Sequence, residues 1–303
     1  MREKIKVALA QISCKQGDKE ENIRKIEENV RKARQKGADL VVFPELSCTG
    51  YAIKDQISEL AETIPGPSTR VLEELARETE THIVFGIPEL GIEKPKKVYN
   101  AAVLVGPQGF IGKYRKTYIP SSEFERDYHP GNQAAVFETE LGKIGLIVCY
   151  DVFFPEVTRL ARLKGAQLIV CISASPECDE GSPIESRPFL ETFTAARAME
   201  NTAFMAYVNL AGVEDELRFW GGSRLIRPNG KVQVRAKYDE EDLVVGEINY
   251  ADIEPVEKWV PVIKELRNEI FDELKATARA RENANRSSVG QSGGERDPAR
   301  PEE

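Results

Sequence analysis

The sequence predicts an α/β protein, in which helices and buried strands alternate along the chain. An amphipathic helical pattern follows Asp18 and leads into the short apolar segment 38–43, which Pro44 closes. The same order recurs after Pro67, where a helical pattern leads into an apolar segment at 82–87. Alternation of this kind is typical of proteins in which helices cover a largely parallel sheet.

The first two elements have recognisable boundaries. Residues 1–11 are predicted to form a strand, because no long apolar region or cleavage site of a signal peptide follows their charges. The first helix begins after Asp18, which forms a capping-box pattern with Glu21, and it ends at Gly37. Its apolar residues recur at spacings of three and four: Ile23, Ile26, Val30 and Ala33.

Two later segments repeat this arrangement and predict two similar halves. Residues 36–42 and 164–170 both consist of Lys-Gly-Ala, one polar residue and three aliphatic residues. In each segment the glycine would end a helix and the aliphatic run would form the next strand.

The last third of the chain contains a hairpin signal and a helical stripe. Residues 225–227 and 231–234 flank Pro-Asn-Gly, which predicts a small antiparallel element. After Pro261 a helical stripe could face the protein's own core or a partner subunit, and its members are Ile263, Leu266, Ile270 and Leu274. We expect one domain over residues 1–280 and a disordered tail over 281–303, where too few apolar residues offset the entropy of ordering.

Composition excludes several classes of protein. The net charge of −8 argues against a nucleic-acid binder, which needs a concentrated basic face. The apolar runs fall short of the roughly 20 residues that span a bilayer. Five cysteines without a CxxC pair and only two histidines favour neither a disulfide framework nor a metal site. We therefore expect a cytoplasmic protein with no metal.

Cys149 is the candidate nucleophile. The apolar segment 145–148 ends at this residue, and a helical pattern follows Pro155, so the thiol lies at a strand-to-helix turn. A helix N-terminus favours the thiolate through its partial positive charge. The alternative is that Cys149 is a small buried apolar residue, like Cys171.

A thiol nucleophile needs a base, and neither histidine is well placed. His82 lies in a predicted strand and His129 in a loop. Glu45 is a better candidate, because it directly follows the end of a buried strand, although it could be only a turn residue. Lys116 could supply the cation that stabilises a thiolate and an oxyanion, or it could be a surface lysine.

Three ordered blocks resemble the signature of the nitrilase, or carbon-nitrogen hydrolase, superfamily. They are Phe43-Pro44-Glu45-Leu46, Lys113-Tyr114-Arg115-Lys116, and Val148-Cys149-Tyr150-Asp151 with Pro155, Glu156 and Arg159. The resemblance covers roughly residues 5 to 250. It implies a four-layer α-β-β-α sandwich and a catalytic triad of Glu45 as general base, Lys116 as cation and Cys149 as nucleophile.

The resemblance also implies the surroundings of the triad. The Lys116 ammonium and the backbone N–H of Tyr150 would form an oxyanion hole, and Phe153 and Ser173 are expected to contact substrate. A second glutamate in a Glu-x-x-Tyr loop corresponds to Glu125, with Glu123 as the rival assignment. No cofactor is implied. The partners implied are a small-molecule amide and a second copy of the chain in a homodimer or larger homo-oligomer.

The residues after the cysteine favour an amidase branch. True nitrilases commonly have Cys-Trp-Glu where this chain has Cys-Tyr-Asp, and N-carbamoyl amino acid hydrolases tend to place an arginine where residues 152–154 are Val-Phe-Phe. The sequence therefore predicts a substrate with a neutral, partly apolar acyl group, unless Arg187 or Arg218 binds a substrate carboxylate. Glu156 and Arg159 are expected to form a structural ion pair.

The resemblance thus implies a thiol amidase that converts a small carboxamide to a carboxylic acid and ammonia through a thioester. The alternatives are an N-carbamoyl amide hydrolase, which would also release carbon dioxide, and then a nitrilase. A non-catalytic scaffold on the same fold is an alternative of a different class.

Overall fold

The structure, a computed structural model, describes residues 2–122, 125, 127–178 and 180–291. It divides into two units, Met1–Pro261 and Val262–Glu303. The first half of the first unit contains β1 (Lys4–Gln11), α1 (Lys19–Gln35), β2 (Leu40–Val42), α2 (Ile57–Leu60), α3 (Pro67–Thr79), β3 (His82–Leu90), β4 (Val98–Gly106) and β5 (Gly109–Arg115).

The second half of this unit has a similar order. It contains β6 (Ala135–Thr139), β7 (Gly142–Val148), α4 (Pro155–Leu163), β8 (Leu168–Ser173), α5 (Ser186–Asn201), β9 (Phe204–Asn209), β10 (Ala211–Glu214), β11 (Leu217–Trp220), β12 (Arg224–Ile226), β13 (Val232–Arg235), β14 (Asp242–Asn249) and α6 (Ile253–Trp259). Short 3-10 helices occupy Lys54–Gln56, Cys149–Phe153 and Tyr250–Asp252.

Two six-stranded sheets confirm the prediction of two similar halves. Their strand orders are β14-β1-β2-β3-β4-β5 and β13-β12-β9-β8-β7-β6. In each sheet three neighbouring strands are parallel, β1-β2-β3 and β7-β8-β9, and the outer strands pair antiparallel. The repeated sequence segments form β2 and β8, which occupy the middle of the two parallel groups.

Alternation along the strands explains the layers. Val7 and Leu9 of β1 belong to the apolar core shared with the second sheet, whereas Ala8 and Ala10 belong to the core shared with α1 and α3. Helices α4 and α5 cover the second sheet from its other side, where they contact β7 and β9. The order of layers is therefore α-β-β-α, as expected from the sequence.

Local signals set the ends of the repeated helices. The Asp18 side chain accepts a hydrogen bond from the N–H of Glu21 at 3.1 Å and caps α1. Gly37 and Gly165 follow α1 and α4 with φ of +80° and +96°, a conformation that glycine adopts without steric cost. The predicted hairpin is formed by β12 and β13, and the N–H of Arg227 donates to the carbonyl of Lys231.

The second unit contains α7 (Asn268–Gln291). The predicted helical stripe begins too early, because Ile263 and Leu266 precede this helix. The described side chains from 268 to 284 are exposed, and the helix includes residues 281–291 of the segment that was predicted as a tail. Residues 292–303 lie outside the described residues. Among the described helices, none combines the length and the apolar character needed to cross a membrane.

Candidate active site

The predicted triad residues meet where strands of the two sheets end. Glu45 follows β2 by three residues, Lys116 directly follows β5, and Cys149 directly follows β7. The N–H of Glu45 donates to the carbonyl of Ser173, at the end of β8, at 3.3 Å. The turns that carry the candidate residues are therefore joined across the two sheets.

A buried ion cluster forms around Lys116, which has no exposed surface. Its Nζ lies 2.8 Å from Oε1 of Glu45 and 2.7 and 2.5 Å from the two oxygens of Glu125. Burial alone would lower the pKa of Lys116, but the carboxylates of Glu125 and Glu45 more than offset it and raise the pKa well above its ordinary value. The lysine is therefore a permanent cation between two acids.

Glu45 is held at both carboxylate oxygens. Its Oε1 accepts hydrogen bonds from Lys116 and from Nδ2 of Asn100, the latter at 2.7 Å, and its Oε2 accepts from the N–H of Ala174 at 2.8 Å. These partners come from β4, from the end of β5 and from the segment after β8. A carboxylate with this many fixed donors has one orientation in the site.

Glu125 is the second glutamate of the cluster. It is buried, and its Oε1 accepts a hydrogen bond from the Tyr51 hydroxyl at 2.9 Å. Burial raises the pKa of Glu125, the nearby Lys116 opposes the shift and the Glu45 charge adds to it. The rival assignment, Glu123, lies outside the described residues.

Cys149 occupies a constrained turn. Its φ is +44°, in the left-handed region that residues with a side chain seldom adopt, and its Sγ lies 3.7 Å from Oγ of Ser175. Burial and then the Glu45 charge raise the pKa of Cys149 to about 12, although Lys116 opposes the shift. Burial and the Glu45 charge thus outweigh the stabilisation that a helix N-terminus offers a thiolate, and they favour the protonated thiol from which Glu45 was expected to take the proton.

Asp151 joins the turn of Cys149 to the turn of Lys116. Its carboxylate accepts hydrogen bonds from the N–H groups of Val148, Thr117 and Tyr118 at 3.0, 3.2 and 2.9 Å. The hydroxyl of Tyr114 also donates to it, at 2.8 Å. Burial raises the pKa of Asp151 to about 6, although the N–H donors oppose the shift. Asp151 lies in the motif around Cys149, but the sequence did not indicate that it links the two turns.

The three predicted contact residues have different surroundings. Tyr150 packs edge-on against Phe153 and Phe154, with ring centroids 5.3 and 5.5 Å apart. Phe153 lines a cavity, whereas Ser173 is fully buried and its hydroxyl accepts a hydrogen bond from the Tyr207 hydroxyl at 3.1 Å. Ser173 therefore lies beneath the site, next to the Cys149 thiol, instead of in the cavity wall.

The cavity beside the cluster has a volume of about 660 Å³. Its described lining residues are Tyr51, Ser122, Phe153, Ser175, Pro176, Glu177, Cys178, Glu180, Gly181, Ser182, Ile184, Ser186, Phe189, Leu190 and Leu217. Tyr51 connects it to Glu125 and Ser175 connects it to Cys149. A separate cavity of about 520 Å³ is lined by Lys113, Arg115 and Lys164 among others. None of its described lining residues belongs to the cluster, although Lys113 and Arg115 lie in β5, the strand that precedes Lys116.

Three supporting residues have roles that the sequence did not predict. Asn100 holds Glu45, Tyr51 holds Glu125, and Asn209 holds Ser175 through both its side-chain oxygen and its side-chain nitrogen. The available signal was polarity, because Asn100 interrupts one largely apolar strand, Asn209 ends another, and both are fully buried.

One predicted contact is wrong. The side chains of Glu156 and Arg159, both described, form no ion pair with each other. Glu156 is exposed in the first turn of α4, whereas Arg159 is half-buried near Glu200 and Arg197 of α5. Arg159 points towards the neighbouring helix, so the spacing of three residues does not bring the pair together.

The α-β-β-α sandwich and the buried Glu-Lys-Cys cluster define the class of the protein as a carbon-nitrogen hydrolase. The profile of the carbon-nitrogen hydrolase family matches residues 6–258. The chain belongs to this family, which confirms the resemblance stated above.

Individual relatives agree with this assignment. A protein from Pyrococcus abyssi named nitrilase is 35% identical over 254 residues, which cover 81% of this chain and 90% of the relative. An (R)-stereoselective amidase from a Pseudomonas species is 31% identical over 80% of this chain and 84% of its own. A mutant of the Nesterenkonia amidase, with the acetamide moiety of fluoroacetamide added covalently at its active-site cysteine, matches with a TM-score of 0.75 and 27% identity over 89% of this chain and 96% of its own.

Proposed function

We propose that the protein is a thiol amidase that hydrolyses small carboxamides to a carboxylic acid and ammonia. The observation that carries this proposal is the buried Lys116 between Glu45 and Glu125, next to Cys149 and the cavity. The charged cluster is buried, and the cavity beside it is linked to it through Tyr51 and Ser175. Burying these charges costs desolvation free energy, and such buried clusters of charges are typical of catalytic centres.

The first step is attack by the thiol. Glu45 takes the proton from Cys149 as the sulfur attacks the amide carbon, because the resting thiol is protonated and needs a base. The carbonyl π electrons move to oxygen, and the Lys116 ammonium and the N–H of Tyr150 stabilise the resulting oxyanion. The carboxylate is already fixed by Asn100 and Ala174, so little reorganisation is needed.

The second step releases ammonia and leaves a thioester. The oxyanion collapses, the carbon–nitrogen bond breaks, and Glu45 gives its proton to the leaving nitrogen. Water then attacks the thioester while Glu45 accepts a proton from it, and collapse of the second oxyanion expels the Cys149 sulfur. The sulfur recovers its proton from Glu45, which restores the resting state and releases the carboxylic acid.

Two further groups keep this machinery in place. Glu125 contacts Lys116 with both carboxylate oxygens, and Tyr51 in turn donates a hydrogen bond to Glu125. The covalent adduct at the cysteine of the Nesterenkonia amidase supports a nucleophilic thiol on this fold. The apolar residues of the cavity, including Phe153 and Leu190, support a carboxamide with a partly apolar acyl chain.

The proposal is tested by ammonia release from a panel of simple amides, N-carbamoyl compounds and nitriles. We expect turnover of simple amides by the wild type and a loss of at least about 10³-fold in Cys149→Ala, because the nucleophile is removed. Cys48→Ala is the matched control, since Cys48 is also buried but lies outside the cluster. Turnover that requires carbon dioxide release would assign an N-carbamoyl hydrolase instead, and unchanged amide turnover in Cys149→Ala would refute the mechanism.

A further inference from the structure

The cavity beside Cys149 has an acidic character. Its described lining includes two carboxylates, Glu177 and Glu180, and no lysine or arginine. The other lining residues are hydroxyl-bearing or apolar, apart from Cys178 and Gly181. Glu177 and Glu180 lie two and five residues after Ser175, which contacts the thiol, so the acidic wall belongs to the segment that leads away from the nucleophile.

The two arginines that could have formed a carboxylate clamp are paired with other groups. Arg187 Nη2 lies 2.9 Å from Glu177 and 3.5 Å from Asp239, and its guanidinium stacks over the Tyr238 ring at 4.3 Å. Arg218 pairs with the other oxygen of Asp239 at 3.4 Å. Neither arginine is among the described lining residues of this cavity, although Arg187 lines an adjoining cavity that shares Glu177 with it.

Among the described residues, these pairs leave the cavity lining with a net negative charge. Arg187 and Arg218 offset Glu177 and Asp239, whereas no ion pair joins Glu180 to another described residue. A carboxylate on a substrate would meet Glu180 without a cation to pair with, and a substrate ammonium group would find an acceptor there.

We propose that the cavity selects amides whose acyl chain ends in a cationic ammonium group, binds neutral acyl chains less well, and rejects acyl chains that end in a carboxylate. This inference rests on the proposed amidase function and names its substrate class. Glu180 supplies the unpaired charge, and the ion pair with Glu177 offsets the positive charge of Arg187.

Three amides with the same chain of methylenes test this order, namely γ-aminobutyramide, valeramide and glutaramate. Their dissociation constants are measured by calorimetry with Cys149→Ala, so that binding is read without turnover. We expect γ-aminobutyramide to bind about fivefold more tightly than valeramide, and glutaramate about fivefold more weakly, as partly exposed charges allow. Both ratios should shrink at high salt.

Charge-removing variants in the same Cys149→Ala background locate the effect. Added Glu180→Gln should bring the three amides close to equal affinity, and Glu177→Gln together with Glu180→Gln should favour glutaramate, because Arg187 then loses one carboxylate partner. The matched control is Glu74→Gln, which removes an exposed carboxylate on α3 and should leave the order unchanged.

Binding and turnover separate the two claims. Equal affinities, or tighter binding of glutaramate than of valeramide, would overturn the charge selection whether or not the wild type hydrolyses these amides. If the binding order holds while the wild type releases no ammonia from any of the three, the cavity selection is supported and the proposed amidase activity fails.

Discussion

At the scale of single residues, the site depends on two buried groups that both keep their protons, the cationic Lys116 and the neutral thiol of Cys149. Lys116 stays charged because two carboxylates contact it, whereas Cys149 stays protonated because burial and the Glu45 charge raise its pKa to about 12. A protonated thiol with a fixed carboxylate nearby is suited to proton transfer during attack. We therefore propose that Cys149 loses its proton only during attack on the substrate.

This balance predicts the effect of neutralising the second glutamate. In Glu125→Gln the amide oxygen can still accept a hydrogen bond from Tyr51 or Lys116, but one of the two negative partners of Lys116 is lost. We expect kcat to fall about 10²-fold, in the range for a misplaced electrostatic group, with a smaller change in KM. Steady-state kinetics on valeramide measures this split, with Glu74→Gln as the control. A rise in KM with kcat unchanged would show instead that Glu125 acts on substrate binding.

Residue types in a known order made the main members of the site predictable. Glu45 and Cys149 follow apolar runs whose ends can be located in the sequence, whereas Lys116 was assigned by its place in the family motif. Asn100 and Tyr51 could not be assigned this way, because their hydrogen bonds join segments that are far apart in sequence. The raised pKa of Cys149 could not be predicted either, since the burial that causes it is a property of the tertiary structure.

At the scale of elements, Asp151 couples the end of β5 to the end of β7. Its carboxylate accepts hydrogen bonds from N–H groups of both turns, so this side chain helps to fix the position of Lys116 relative to Cys149. The sequence predicted β7 and the following helix, but the link between the two turns requires the sheets to be stacked. This is why the coupling was not foreseen.

The raised pKa of Asp151 gives this coupling a pH dependence. As the pH falls through about 6, Asp151 takes up a proton and becomes a poorer acceptor for the turn N–H groups, so we expect kcat to fall. Because the folded pKa lies above the ordinary value of 3.8, the folded state binds this proton first, and the contribution of Asp151 to the free energy of unfolding rises over the same interval.

The variant Asp151→Asn tests both parts of this argument. It leaves a buried N–H without its acceptor and should lower the free energy of unfolding by about 1–3 kcal/mol, measured by urea denaturation. The difference in stability between wild type and variant should widen from pH 7 to pH 4. The acidic limb of the kcat profile should disappear in the variant, and a limb that persists near pH 6 would assign this titration to another group.

At the scale of the whole molecule, every described member of the site lies in the unit Met1–Pro261. The family match ends at residue 258, within this unit, and the described side chains of α7 are exposed. Exposed apolar residues also occur on the outer helices of the first unit, at Leu160, Leu163 and Met199. We propose that this outer face forms the contact of a homodimer.

These observations predict that the chain can be shortened. A stop codon after Pro261 should leave kcat on valeramide within about twofold of the full chain and the melting temperature within a few degrees, because the core and the cluster are both retained.

Analytical ultracentrifugation of both forms should show the same dimer, whereas Leu160→Glu with Leu163→Glu should give a monomer without unfolding. If shortening alone yields a monomer, residues 262–303 form the dimer contact and the helical stripe at Ile270 and Leu274 takes that role. If the monomer also loses amide turnover, the site depends on the second subunit.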